Sequence, residues 1–189
     1  MDSHLLAGRV LIAMPGIDDK RPFVPLKIAV LTVSDTRELA DDKSGGTLAE
    51  RIEKAGHVVA GRAIVTDDVE KIREQVRSWI ADKGIDVIIS TGGTGFTGRD
   101  STPEAIRPLL DKEMPGFGEM FRVLSFEEIG TSTLQSRAFA GLANDKFIFC
   151  LPGSTSACKT AWEKLLRDQL DSRTRPCNLA GLLPRLREI

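Results

Sequence analysis

The stretch of the chain richest in chemistry-bearing residues is Ser90-Thr91-Gly92-Gly93-Thr94-Gly95-Phe96-Thr97-Gly98-Arg99-Asp100. Its closely spaced glycines, with threonines between them, let main-chain N–H groups turn towards a ligand without side-chain obstruction. With a helix beginning nearby, such a loop suits phosphate. A tight turn needing positive φ is the plainer reading of a glycine pair. Gly93, Gly95 and Gly98 satisfy the spacing GxGxxG, but the dinucleotide fingerprint also needs a second strand closed by an acidic residue ~20 residues later. Residues Met114 to Phe121 occupy that region, and no strand follows promptly. There is no GK[ST] either, which excludes a Walker loop.

Asp100 and Asp67 are the leading candidate carboxylates. A carboxylate next to bound phosphate is unfavourable unless a cation lies between them, and Mg²⁺ binds through one or two carboxylates plus substrate phosphates. Asp100 is therefore the candidate metal ligand. Asp67 or Asp68 could instead cap the following helix. Asp35, Asp41 and Asp42 are further acidic candidates, and Arg99, Lys43 and Arg137 could neutralise phosphate. Ser154 to Ser156 could cap the last long helix or donate to an anion. Cys158 and Trp162 read as core residues of that helix. His57 stands alone at a helix end, so no Ser-His-Asp or Cys-His machinery is visible.

The elements that must position these residues follow from hydrophobic periodicity. Lys27 to Val33 and Ile85 to Ser90 read as buried strands, and Val58 to Val65 as another. Helices are expected from Ser44 or Gly45 to Ala55, stopped by a left-handed Gly56, and over the stripe Val69, Ile72, Val76, Trp79 and Ile80. A further helix opens at Thr102 and Pro103, with Pro108 kinking or ending it. Phe117 to Ile129 reads as helix. Ala138 to Ala143 and Phe147 to Leu151 form a hairpin around Asn144-Asp145-Lys146. Helix resumes near Ser156. Alternating strands and helices imply an α/β three-layer sandwich: a mainly parallel central sheet, helices on both faces and one antiparallel edge hairpin. The division expected is an arm over 1–25, one domain over 26–172 and an irregular tail over 173–189. Residues 1–13 read as a tail, with Met1 or Met14 as the start.

Ligands of parallel sheets bind at the carboxyl ends of strands. The loops Ser34 to Ser44 and Gly92 to Thr102 lie there, and both exceed the roughly 2–6 residues usual between strand and helix. Asp67 and Leu151-Pro152-Gly153-Ser154 lie there too, so four loops can converge on one cleft. The bulk numbers agree with a small-molecule site. With 26 basic and 27 acidic residues and net charge −1, no field suited to nucleic acid is present. No apolar run approaches the ~20 residues of a membrane span. Three cysteines without a CxxC pair and two histidines make a zinc site or a disulfide framework a poor fit and suit a reducing, cytoplasmic setting.

Six ordered motifs also carry a family resemblance. Thr32-Val33-Ser34-Asp35-Thr36-Arg37, Asp42-Lys43-Ser44-Gly45, Thr91-Gly92-Gly93-Thr94-Gly95, Arg99-Asp100-Ser101-Thr102-Pro103-Glu104-Ala105, Met114-Pro115-Gly116-Phe117-Gly118-Glu119 and Leu151-Pro152-Gly153-Ser154 resemble the MoaB/MogA family of molybdenum cofactor biosynthesis. Ala157 to Glu163 and Thr174 to Asn178 look like its MoaB branch. Thr155 stands where many members have proline. The resemblance implies adenylyl transfer from ATP to molybdopterin with Mg²⁺, releasing pyrophosphate; the alternative is a non-catalytic molybdopterin- or nucleotide-binding protein of the same pathway. On the family pattern Asp100 helps hold the metal–phosphate centre and Asp67 positions the pterin. Residues 91–95 cradle phosphates, and Ser34 with Asp35 lies at the cleft floor. Ser44, Gly45, Pro152, Gly153 and Ser154 complete the expected binding set. Homo-oligomers, trimers or hexamers, are implied as well.

Overall fold

The computed structural model describes residues 16–186. The expectations about residues 1–13 and the start at Met1 or Met14 lie outside the described residues. In chain order the main elements are β1 (Gly16–Ile17), β2 (Lys27–Val33), α1 (Lys43–Lys54), β3 (Val58–Val65), α2 (Val69–Ala81), β4 (Val87–Thr91) and α3 (Thr102–Ile106). There follow β5 (Lys112–Glu113), α4 (Pro115–Ile129), β6 (Phe139–Ala143), β7 (Lys146–Leu151), α5 (Thr155–Ala161), α6 (Arg167–Leu170), β8 (Thr174–Arg175) and α7 (Leu183–Leu186). A π-helical turn, Trp162–Leu166, joins α5 to α6.

The central sheet has six strands in the order β3-β2-β4-β7-β6-β5. The four strands β3, β2, β4 and β7 run parallel. Side chains alternate across each inner strand with period two, and both faces are covered. Ile28, Val30, Val87, Ile89, Phe147 and Phe149 pack with α1, α4 and α5 on one face. Ala29, Leu31, Ile88, Ile148 and Cys150 pack with α2 and α3 on the other. This is the expected three-layer α/β sandwich.

Three details differ from the sequence reading. The hairpin is not itself the edge: β7 joins the parallel core beside β4, and β6 runs antiparallel to it with β5 outside. β5 is two residues long, too short to leave a periodic signal. The strand expected at Ile85 starts at Val87 and runs through Thr91. Finally, the tail is not wholly irregular. β8 pairs antiparallel with β1, and Ala180 and Leu183 are buried in the core. Gly56 has φ +86°, as a left-handed helix stop requires.

Candidate functional site

One cavity of about 570 Å³ opens at the carboxyl ends of the parallel strands. Of the residues singled out from sequence, Ser34, Asp35, Asp67, Asp100, all of Thr91 to Gly95, and Pro152, Gly153 and Ser154 line it. The four loops therefore converge, and Asp100 shares a pocket with residues 91–95.

The floor is built where β4 and β7 end side by side. Thr91 Oγ1 donates to the carbonyl of Pro152 at 2.9 Å, and the Gly92 amide donates to Leu151 O at 3.0 Å. A Cβ on Gly153 would meet the Gly92 Cα at 3.2 Å, so the two loops are in direct contact. Gly92 has φ +105° and a Cβ there would stand 2.2 Å from Val33 O; Gly93 has φ +62°, with Asp67 Oδ2 at 2.6 Å from its hypothetical Cβ. Both positions need glycine for backbone and for space. The turn reading holds for this pair, and the crowding is with the protein's own Val33, Thr102 and Asp67.

Several of the loop's donors are already used within the protein. Thr91 spends its hydroxyl on Pro152, Gly92 its N–H on Leu151, and the Gly95 N–H turns to Asp100. Among the described residues, the N–H groups of Gly93 and Thr94 have no protein acceptor. Both line the cavity and can meet an anion.

The carboxylates divide their work. Asp68 caps α2 by accepting from the amides of Glu70 and Lys71, both at 3.0 Å. Asp67 is thereby released from capping; its Oδ1 accepts from Ser101 N at 2.9 Å and Ser101 Oγ at 2.5 Å. Asp100 is not a free carboxylate. Its Oδ2 accepts from Thr97 N at 2.8 Å and Thr97 Oγ1 at 2.6 Å, closing the loop on itself. Burial opposes the charge of Asp100, but the bonds from Thr97 and Gly95 outweigh it and hold the carboxyl below its ordinary range.

Other candidates are reassigned by their partners. Ser44 and Gly45 are buried at the start of α1 and do not line the cavity. Asp42 caps that helix through Gly45 N at 2.9 Å, and its Oδ2 would touch a Gly45 Cβ. The Ser44 hydroxyl accepts instead from Arg37, which does line the cavity. Arg37 belongs to a motif seen in the sequence, yet nothing local marked it as the cation of the pocket. Arg99 pairs with Asp35 through 2.6 and 3.0 Å bonds, so both charges are satisfied by each other. Hydrogen bonding from Arg99 and from the Asp67 amide holds the Asp35 carboxyl low. Arg137 braces the 95–100 loop from behind, donating to Gly95 O at 2.7 Å and Asp100 O at 2.8 Å and pairing with Glu104. Lys43 is exposed outside the cavity. Ser154 caps α5 through Ala157 N at 3.2 Å while still facing the cavity. Cys158 and Trp162 are buried core residues, and burial pushes the Cys158 thiol up to about 11.

Sequence reasoning missed the wall opposite the glycine loop. Ser125, Glu128 and Ile129 of α4, Ser132, Gln135 and Ser136 beyond it, and Thr160 of α5 all line the cavity. No spacing rule would have selected them, because they come together only when α4 packs beside α5.

The family model described as a probable molybdopterin binding domain matches residues 29–172. The chain is 57% identical over 156 residues to molybdenum cofactor biosynthesis protein B of Escherichia coli, covering 82% of this chain and 92% of that one. To the protein of the same name from Staphylococcus epidermidis it is 49% identical over 150 residues, covering 77% and 85%. Among solved structures, a molybdenum cofactor biosynthesis protein B superposes with TM-score 0.80 at 39% identity, covering 88% of this chain and 98% of that one. The tungsten cofactor synthesizing protein MoaB from Pyrococcus furiosus gives 0.70 at 38%, covering 87% and 98%. A MogA structure gives 0.71 at 26% identity, covering 85% and 99%. The chain belongs to the molybdenum cofactor biosynthesis family of molybdopterin-binding-type domains, and within it to the MoaB branch.

Proposed function

We propose that this chain acts in molybdenum cofactor biosynthesis by transferring the adenylyl group of ATP to molybdopterin, with release of pyrophosphate. The observation that carries the reading is the cavity in which the free amides of Gly93 and Thr94 stand among Arg37, Asp67 and Asp100. In this reaction a terminal phosphate oxygen of molybdopterin bonds to the α-phosphorus of ATP. The bond from that phosphorus to the bridging oxygen breaks, and pyrophosphate leaves with the electron pair. The attacking phosphate is already ionised at neutral pH, so no strong base is needed, and alignment with charge neutralisation suffices.

The donor set fits Mg²⁺ without a dedicated protein cage. Among the described residues no cluster of three or more metal-type ligands occurs, and Mg²⁺ characteristically takes one or two carboxylates plus phosphate oxygens and water. Asp100, ionised by its bonds from Thr97, is the residue that would hold it, and Asp67 also lines the cavity. When bound, the ion would neutralise charge shared between carboxylate and phosphates. The chain's own residues do the rest. Gly93 and Thr94 donate to a phosphate oxygen, Arg37 adds a positive charge, and Ser101 fixes the orientation of Asp67.

A second reading has its own support. Asp67 Oδ1 and Asp100 Oδ2 each already serve a loop hydrogen bond, which is what a non-catalytic pterin- or nucleotide-binding protein would also need. Incubation of the pure protein with ATP, Mg²⁺ and molybdopterin separates them. Pyrophosphate formed in proportion to enzyme, and abolished in Asp100→Ala, supports transfer. No pyrophosphate above background leaves the binding protein. Self-association into trimers or hexamers belongs to the same proposal. It is supported by the exposed Met120, Val123, Phe126 and Ile129 along α4, and sedimentation velocity reads it directly.

A further inference from the structure

A second cavity, of about 500 Å³, opens where the turn after α3, the middle of α4 and the approach to β6 meet. Three guanidinium groups line it, from Arg107, Arg122 and Arg137, against one carboxylate, Glu104. Arg137 already pairs with Glu104. Arg107 donates from Nη1 to Glu113 at 2.6 Å, and its guanidinium carbon lies 4.5 Å from the Phe139 ring centroid. Arg122 donates from Nη1 to the carbonyl of Ala138 at 3.2 Å. Among the described residues, Arg122 has no carboxylate partner, and the Nε and Nη2 groups of both Arg107 and Arg122 have no protein acceptor. Ser136, whose Oγ accepts from the Ala138 amide at 3.3 Å, lines this cavity and the first. Its hydroxyl hydrogen is left to donate.

We propose that this cavity is a second anion site, taking a phosphoryl dianion at the unbonded Nε–Nη2 edges of Arg107 and Arg122. Each such edge is a planar fork of two donors that matches two oxygens of an anion. A phosphoryl group has three or four oxygens, enough to serve two forks, whereas one carboxylate is matched by one fork. The net positive lining favours a dianion over a neutral guest. Two sources share this chemistry, the free ion and the phosphate end of a small molecule. None of the groups assigned to adenylyl transfer takes part, so the site is independent of that reading. It nevertheless backs onto the glycine loop, because Arg137 also donates to Gly95 O and Asp100 O.

Isothermal titration calorimetry at low ionic strength and about pH 8, where phosphate is a dianion, tests this without ATP or Mg²⁺. The probes are inorganic phosphate, AMP and acetate. Arg122→Gln and Arg107→Gln should each weaken phosphate binding by roughly tenfold or more, the loss of one charged fork. Two variants are used because Arg122→Gln also gives up the bond to Ala138. Arg167→Gln removes the same charge from an exposed ion pair outside this cavity and should bind phosphate as wild type does. Acetate should bind at least tenfold more weakly than phosphate. Equal affinity for AMP and phosphate supports the free ion as occupant, and tighter AMP, lost in Arg122→Gln, supports the phosphate end of a larger molecule. No phosphate binding by wild type overturns the site. So does wild-type binding by folded Arg107→Gln and Arg122→Gln, an equal loss in Arg167→Gln, or acetate binding as tightly as phosphate.

Discussion

Replacing Gly92 by alanine tests whether the cavity floor is built as described. The substitution meets two penalties at once. A side chain at φ +105° is strained by about 1–3 kcal/mol. The new methyl would also stand 2.2 Å from Val33 O, far inside contact distance. Relief by moving Val33 is resisted because that residue is the last of β2 and is registered against Val65 of β3. Overpacking of this kind costs about 1–3 kcal/mol more, so a total near 4 kcal/mol is the central expectation. For a chain of this length each kcal/mol lowers the melting temperature by about 2–4 °C, giving a fall of roughly 8–16 °C. Gly98→Ala is the internal control: a Cβ there meets nothing within 4 Å, and its cost should stay within about 0.5 kcal/mol. Both variants would be followed by far-UV circular dichroism during heating and by urea titration at 25 °C. If Gly92→Ala melts together with Gly98→Ala, the floor yields where it is described as rigid, and the geometric argument for the loop is wrong.

Two further outcomes follow from the same structure. Asp68→Ala should cost about 1 kcal/mol, the usual loss of an N-cap, and leave pyrophosphate production intact; Asp67→Ala should abolish production, and the opposite pattern in a coupled pyrophosphate assay would reverse their roles. His57 should make the fold acid-sensitive. Its Nδ1 accepts from Leu26 N at 3.1 Å, and burial lowers its pKa, only partly opposed by Asp171. Above about pH 6.5 the imidazole is neutral both folded and unfolded, so it contributes no slope. As pH falls below that value the unfolded chain takes the proton first, and stability is lost until the folded pKa is passed. Urea midpoints between about pH 7 and 5 should fall less in a folded His57→Gln variant than in wild type; parallel curves would remove His57 as the cause.

Much of the frame was legible because the signals were local. The limits of β2 and β3 coincide with runs of apolar residues, and the helix stripe over Val69 to Ile80 is regular enough to read directly. The glycine loop and its two aspartates were likewise visible by composition. What was hidden depended on partners distant in sequence. Ser44 and Gly45 sit in a motif, yet their burial under Asp42 turns them inward. Arg137 looked like a free cation until Gly95 and Asp100 claimed its donors. Glu128 carries no local signal in the sequence, and only the packing of α4 against α5 gives it Thr160 and a place in the cavity wall. β5 was lost because two residues cannot express a period.

The tie between Thr91 and Pro152, with Gly92 abutting Gly153, has a thermodynamic corollary. These two turns are held by bonds between neighbouring strand ends, so an anion bound there would meet donors already aimed and would surrender little entropy in fixing them. Preorganisation of this sort favours affinity by lowering the cost of association rather than by adding contacts. Any adjustment to the size of a guest must then come from the opposite bank, where α4 gives way to the short turns of residues 130–135.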